Sequence, residues 1–155
     1  MNRTGLIAVS TFAALIPLIA LGADQHAIVQ NDAVQWKPAP PAFPDGAEIA
    51  VLYGDPSKEG PFAVRMKLPA GYKIPPHIHP SDENETILSG TMHVGMGDLF
   101  NETRTDAVKP GGVLLMPKGM HHYAWFPEET VIQGNGVGPS GITYINEKDD
   151  PRKSN

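Results

Sequence analysis

Apolar and polar residues alternate along much of the chain beyond residue 46. The clearest run is Phe62-Ala63-Val64-Arg65-Met66-Lys67-Leu68, where every second position is large and apolar. That is the period of a half-buried strand. It predicts Phe62, Val64, Met66 and Leu68 facing inward, with Arg65 and Lys67 facing solvent. Residues 47–53 form a β-prone run that ends at the turn Gly54-Asp55-Pro56-Ser57. Further short strands are predicted at 86–89, 91–96, 112–116, 121–126, 130–133 and 142–146. Turn signals separate them at Ser89-Gly90, Gly97-Asp98, Pro110-Gly111-Gly112, Pro117-Lys118-Gly119 and across 134–141. Many short strands with glycine punctuation and no helical period between them predict an all-β antiparallel sandwich or barrel.

The first 46 residues do not follow this pattern. Arg3 and the amino terminus precede an apolar run from Leu6 to Leu21, broken by Ser10, Thr11 and Pro17. A membrane span needs about 20 well-matched apolar residues, so this run reads as an export signal over residues 1–22. Cleavage after Gly22 places Ala20 at the −3 position, and Ala23 is the adjacent alternative. The expected address is periplasmic or secreted, with no stable membrane insertion after processing. Residues 23–46 carry Pro38, Pro40, Pro41 and Pro44 around Trp36 and Phe43, which predicts an extended Pro-rich arm. Residues 47–155 are left for a single domain.

Composition removes several functional classes. Sixteen glycines and sixteen prolines in 155 residues rule out a long-helix bundle. The chain has no cysteine, so disulfides, thiol nucleophiles, iron–sulfur clusters and thiolate zinc sites are excluded. Net charge is −5 and no basic run exists, which argues against nucleic acid as a partner. A metal site here has to be built from histidines and carboxylates.

Such residues cluster between Gly71 and Gly90. His77 and His79 form a His-x-His pair, which on a strand sends both imidazoles to one face. Glu83 follows from the next turn. A second stretch, with Gly111, Pro117, Gly119 and His122, offers a fourth ligand from a facing strand. These two stretches resemble the sequence motifs of the cupin superfamily. Gly71, His77, His79, Glu83 and Gly90 match every defined position of the first motif. Gly111, Pro117, Gly119 and His122 match the second, which departs at its last position, where Phe126 stands in place of asparagine. The resemblance covers roughly residues 47–146.

The resemblance implies a jelly-roll barrel holding one divalent transition metal (Fe, Mn, Zn, Cu or Ni) through His77, His79, Glu83 and His122. Glu85 shares strand parity with Glu83, and the motif spacing to Gly90 selects Glu83. His121 adjoins His122 on the opposite parity, and the spacing from Gly119 selects His122. His93 is expected on the outer face. Glu83 is the ligand best able to detach and serve as a catalytic base. Parity places Phe62, Val64, Met66, Met92, Val94, Met96, Met116, Met120, Ala124 and Phe126 around the site, an apolar wall for a small chelator such as a diketone, catechol or short oxo-acid. Tyr72 and Lys73 are expected at the barrel mouth.

Together these features predict a metal-dependent oxidoreductase of dioxygenase-like type acting on a small molecule. A non-catalytic metal or small-ligand binder and a metal-dependent isomerase or lyase are the alternatives. Exposed strand edges make a homodimer plausible. Because metal-binding imidazoles must be neutral, metal loss is expected below about pH 6.

Overall fold

The alternation in residues 62–68 becomes a nine-residue strand with one buried face. The computed structural model describes residues 28–153, so the export-signal reading lies outside the described residues. Eleven strands follow in chain order: β1 (Lys37–Pro38), β2 (Glu48–Tyr53), β3 (Gly60–Leu68), β4 (Tyr72–Ile78), β5 (Glu83–Ser89), β6 (Met92–Met96), β7 (Asp106–Val108), β8 (Val113–Met116), β9 (His122–Phe126), β10 (Thr130–Gly138) and β11 (Thr143–Tyr144). They form two sheets, ordered β1-β2-β3-β10-β5-β8 and β11-β4-β9-β6-β7, with every pairing antiparallel. The sheets face each other as a jelly roll. No helix among the described residues is long and apolar enough to cross a membrane.

The core lies between the two inner faces. Phe62, Val64, Met66 and Leu68 of β3 are buried there with Ile87, Met92, Val94, Met116, Phe126 and Ile132. Burying a side chain the size of Leu68 or Ile87 contributes about 2 kcal/mol. On the outer face Lys67 Nζ pairs with Glu48 Oε2 at 2.8 Å and sits 4.5 Å from the centre of the Trp36 ring. Arg65 Nε donates to Gln133 at 3.1 Å. The parity read from this segment therefore holds at every position.

Several strands go beyond the sequence reading: β5 begins at Glu83 and not at 86, and β1 and β7 were not expected. β4 was not delimited by it, because Pro75 and Pro76 lack the N–H groups a ladder needs. The pairing with β9 accordingly slips between Ile74 and His77. β10 was expected to stop at Gln133 but runs to Gly138, through three glycines that weaken a strand signal. Close packing explains two of them. A Cβ on Gly136 would lie 3.0 Å from the Phe62 ring, and one on Gly138 would meet the backbone carbonyls of Pro56 and Lys58.

The arm is tied down rather than loosely draped. Tyr72 Oη donates to Pro44 O at 2.6 Å, and Tyr144 Oη donates to Ala42 O at 2.9 Å. Tyr72 is thus a buried anchor and not a mouth residue, while Lys73 Nζ is held by Glu102 at 2.6 Å. Met96 and Met120 are also corrected. Both are exposed, since Met96 ends its strand and Met120 lies in the turn before β9, where strand parity no longer dictates burial.

Candidate metal centre

Three histidines converge inside the barrel. β4 supplies His77, β9 supplies His122 directly across the ladder, and His79 follows immediately after β4 ends. Each offers one nitrogen, and these three atoms all lie within 4.8 Å of one another. His77 and His122 are buried, and their ring centres stand 4.1 Å apart. His79 keeps about a tenth of its side-chain surface.

The hydrogen bonds show which nitrogens are available. Nδ1 of His77 meets Pro75 O at 2.7 Å, Nδ1 of His79 meets Gly141 O at 2.8 Å, and Nδ1 of His122 meets Met120 O at 2.9 Å. A carbonyl only accepts, so each Nδ1 carries the hydrogen. The lone pair of each neutral ring is then on Nε2, which is the outer-shell arrangement that orients metal-binding histidines. Burial, aided by the neighbouring imidazoles, pushes His77 down to about 2. Burial likewise pushes His122 down to about 4. Both rings are held neutral, as a metal ligand must be. The donor set therefore fits a first-row divalent ion.

The two glutamates occupy different positions relative to this group. Glu83, Glu85 and Ile87 share the inward row of β5, with Glu83 nearest the rim and Ile87 fully buried. Glu83 is not one of the converging three. Its Oε2 lies 3.8 Å from His79 Nδ1, and its Oε1 accepts a hydrogen bond from Ser140 Oγ. Glu85 lies one inward step deeper. Burial and the adjacent Glu83 carboxylate raise its carboxyl to about 7.

A cavity of about 420 Å³ opens beside the histidines, a size typical of small-molecule sites. Its floor is apolar, with Phe62, Val64, Met66, Ile74, Met92 and Phe126, and its polar end holds the three histidines, Glu83 and Glu85. The arm supplies part of the wall through Pro40, Ala42 and Phe43.

Outside the cavity the remaining histidines among the described residues, His93 and His121, have local partners. His121 Nδ1 pairs with exposed Asp98 at 2.5 Å. His93 lies on the outer face, opposite to Met92 and Val94, where it is half-buried by stacking on Trp125 with ring centres 4.5 Å apart. Phe126, where the second motif has asparagine, is fully buried, and its carbonyl accepts from Gly71 N–H at 2.7 Å. Sequence reasoning missed Ser140 and Gly141. Both fall in a stretch that reads only as a turn.

Residues 24–140 match the ChrR cupin-like domain family. The chain belongs to that family. The match begins inside the Pro-rich arm and takes in all four expected ligands, His77, His79, Glu83 and His122. Among curated proteins, Germin-like protein 9-3 of Oryza sativa subsp. japonica is 38% identical over 63 residues, and Germin-like protein subfamily 1 member 1 of Arabidopsis thaliana is 34% identical over 53 residues. These alignments cover 40% and 34% of this chain but only 29% and 24% of the plant proteins. The fold of this cupin is shared with the polyketide cyclase RemF from Streptomyces resistomycificus (TM-score 0.68, 17% identity, 82% of this chain and 90% of that one). It is also shared with an acetylacetone dioxygenase from Acinetobacter johnsonii (TM-score 0.60, 19% identity, 83% of each chain). At these identities the likeness is one of fold.

Proposed function

We propose that this cupin is a metal-dependent oxidoreductase of dioxygenase-like type that acts on a small chelating molecule. The observation that carries this reading is the three Nε2 lone pairs left free by carbonyl-bound Nδ1 groups, at the polar end of an apolar cavity. His77, His79 and His122 would hold the ion, with Glu83 as fourth ligand. A divalent metal there supplies Lewis acidity and, for redox-active ions, electron transfer to oxygen. The chain's own contribution is to keep two imidazoles neutral, to exclude bulk water with the apolar floor, and to present Glu83 as a base within reach of a bound molecule. The acetylacetone dioxygenase among the fold relatives accords with this reading.

The test is metal analysis of natively purified protein, followed by oxygen uptake with a panel of diketones and catechols. Stoichiometric metal that disappears in His122→Ala, together with substrate-dependent oxygen uptake, is the expected result. Metal without uptake would favour the binding role, and turnover without oxygen would favour an isomerase or lyase, the class closer to the polyketide cyclase.

Two further parts of the reading rest on separate observations. Export, with cleavage near Gly22 or Ala23, rests on residues 1–23 alone and is tested by N-terminal sequencing of the native protein. A homodimer is supported by the open edge strand β8, where Val113 and Leu115 are 59% and 71% exposed. Sedimentation equilibrium of the full chain tests it.

A further inference from the structure

Among the described residues, Arg152 is the single lysine or arginine that lines the cavity, and it belongs to the short 3-10 helix Pro151–Lys153 that follows β11. Its side chain is 46% exposed, so it stands where the cavity meets solvent. The guanidinium is not free to swing. Nε donates to Asp150 Oδ1 and Nη2 to Asp150 Oδ2, both at 2.7 Å, and Nη2 also donates to Ile142 O at 3.4 Å. Two parallel charge-assisted bonds of this kind fix the plane of the group. Nη1 keeps both its hydrogens, with no hydrogen-bond partner among the described residues. The Asp150 side chain is only 9% exposed, so an incoming molecule meets the N–H edge rather than the carboxylate oxygens.

The backbone ties this cation to the histidine group. Gly141 O accepts from His79 Nδ1 at 2.8 Å, and Ile142 O, one peptide further, accepts from Arg152. Consecutive α-carbons are about 3.8 Å apart. One short stretch therefore holds a ring of the metal-binding group and a guanidinium at a set spacing, and both line the same cavity. Glu83 and Glu85 enter that cavity from β5 of the other sheet. A single guanidinium edge suits a monoanion. A phosphate dianion would call for further cations, and the described lining has none.

We propose that Arg152 is the specificity-determining residue of this cavity, that it binds a carboxylate of the ligand through Nη1, and that the ligand is a chelator whose apolar body ends in that carboxylate. The inference deepens the metal-site reading above and rests on it for the chelating end of the ligand. Arg152 acts by holding the far end of the molecule at the rim, which turns the chelating end towards the histidines.

The test compares three probes that share one β-diketone: 4,6-dioxoheptanoate, its methyl ester, and 2,4-heptanedione, in which a methyl group ends the chain instead of the carboxylate. Binding to the natively purified protein is followed without oxygen by calorimetry, with metal content measured in parallel. The acid should bind roughly tenfold more tightly than the ester or the dione, as one charge-assisted hydrogen bond at a half-exposed site allows. The chain's net charge of −5 works against that preference, so the preference has to come from a local cation. Added salt should weaken the acid and leave the two neutral probes unchanged. Arg152→Gln should erase the preference. Arg152→Lys should keep part of it, because lysine retains the charge without the planar fork. Metal content should be the same in both variants as in wild type.

Equal affinity of wild type for the acid and the ester would overturn the proposal, and that comparison needs no variant. So would a preference for the acid that survives in folded Arg152→Gln, or failure of all three probes to bind wild type. Failure of the metal reading shows differently: wild-type protein would lack metal, or His122→Ala would leave all three affinities unchanged, while the ratio of acid to ester is still read.

Discussion

The hydroxyl of Ser140 donates to Glu83 Oε1, and the next residue, Gly141, accepts from His79 Nδ1 through its carbonyl at 2.8 Å. One short turn between β10 and β11 thus orients two of the four side chains proposed for the metal. Outer-shell partners of this kind commonly change affinity by 10–100-fold when removed, roughly speaking. Ser140→Ala should lower metal affinity within that range, measured by competition with a chromophoric chelator. Thermal stability should change little, because Ser140 is only half-buried. Unchanged affinity would mean that Glu83 is not a ligand or needs no orientation.

Acid should act on the metal-free fold through His77 and His122. Both are held below an imidazole's ordinary 6.5, chiefly by burial, His77 at about 2 and His122 at about 4. The unfolded chain therefore binds protons first as pH falls, and the native state loses stability between about pH 6.5 and the native values. Melting temperatures of metal-free protein should be highest above pH 7 and decline steadily towards pH 4. The same shifts bear on metal retention at His77 and His122. Protons compete poorly at these two nitrogens near pH 6, so weakening at His77 and His122 should begin well below it. Imidazole C–H resonances of either residue titrating near 6.5 in the folded, metal-free protein would contradict this.

Much of the fold was legible because β3 alternates without a break and glycines mark the turns. β4 and the distal half of β10 were not, since Pro75-Pro76 and Gly134, Gly136 and Gly138 erase the signals of regular pairing. The histidine group was legible through spacing, as His-x-His places two rings on one face and the turn after Gly119 returns the third. Glu83 and Glu85 have equal parity, so the pattern could not divide their roles. Only the motif spacing to Gly90 separated them, and the structure adds the hydrogen bond from Ser140 to Glu83, which leaves no trace in a side-chain pattern. Met96 and Met120 were misplaced for the reason that alternation reports burial only where the sheet continues.

The arm should respond to loss of either tyrosine hydroxyl. Tyr72→Phe and Tyr144→Phe each remove one bond to an arm carbonyl, costing about 1 kcal/mol. Urea denaturation measures that loss. Amide exchange at Ala39 and Phe43, whose N–H groups bond Ala47 O and Pro40 O, should quicken in both variants. Exchange in β3 should stay unchanged. Because Phe43 of the arm forms part of the cavity wall, binding of small molecules there should weaken along with it.

Two motif glycines should differ sharply in their tolerance of alanine. Gly71 and Gly90 both adopt left-handed backbone, at φ +80° and +74°, so a Cβ strains either one. That strain costs about 1–2 kcal/mol. At Gly71 nothing lies within 4 Å of the added carbon, and the strain is the whole penalty. At Gly90 the carbon would also meet Glu129 O at 2.5 Å and Thr130 Cα at 2.8 Å, backbone atoms that cannot rotate away. It would strike the Thr130 hydroxyl as well, breaking bonds from Thr91 N–H at 3.2 Å and to Thr91 O at 3.2 Å. Overpacking adds about 1–3 kcal/mol to the strain. Gly90→Ala should therefore lose at least twice the stability of Gly71→Ala in denaturant titrations. Equal losses would show that the β5–β6 turn can shift away from Thr130, and that backbone angle alone sets the requirement for glycine there.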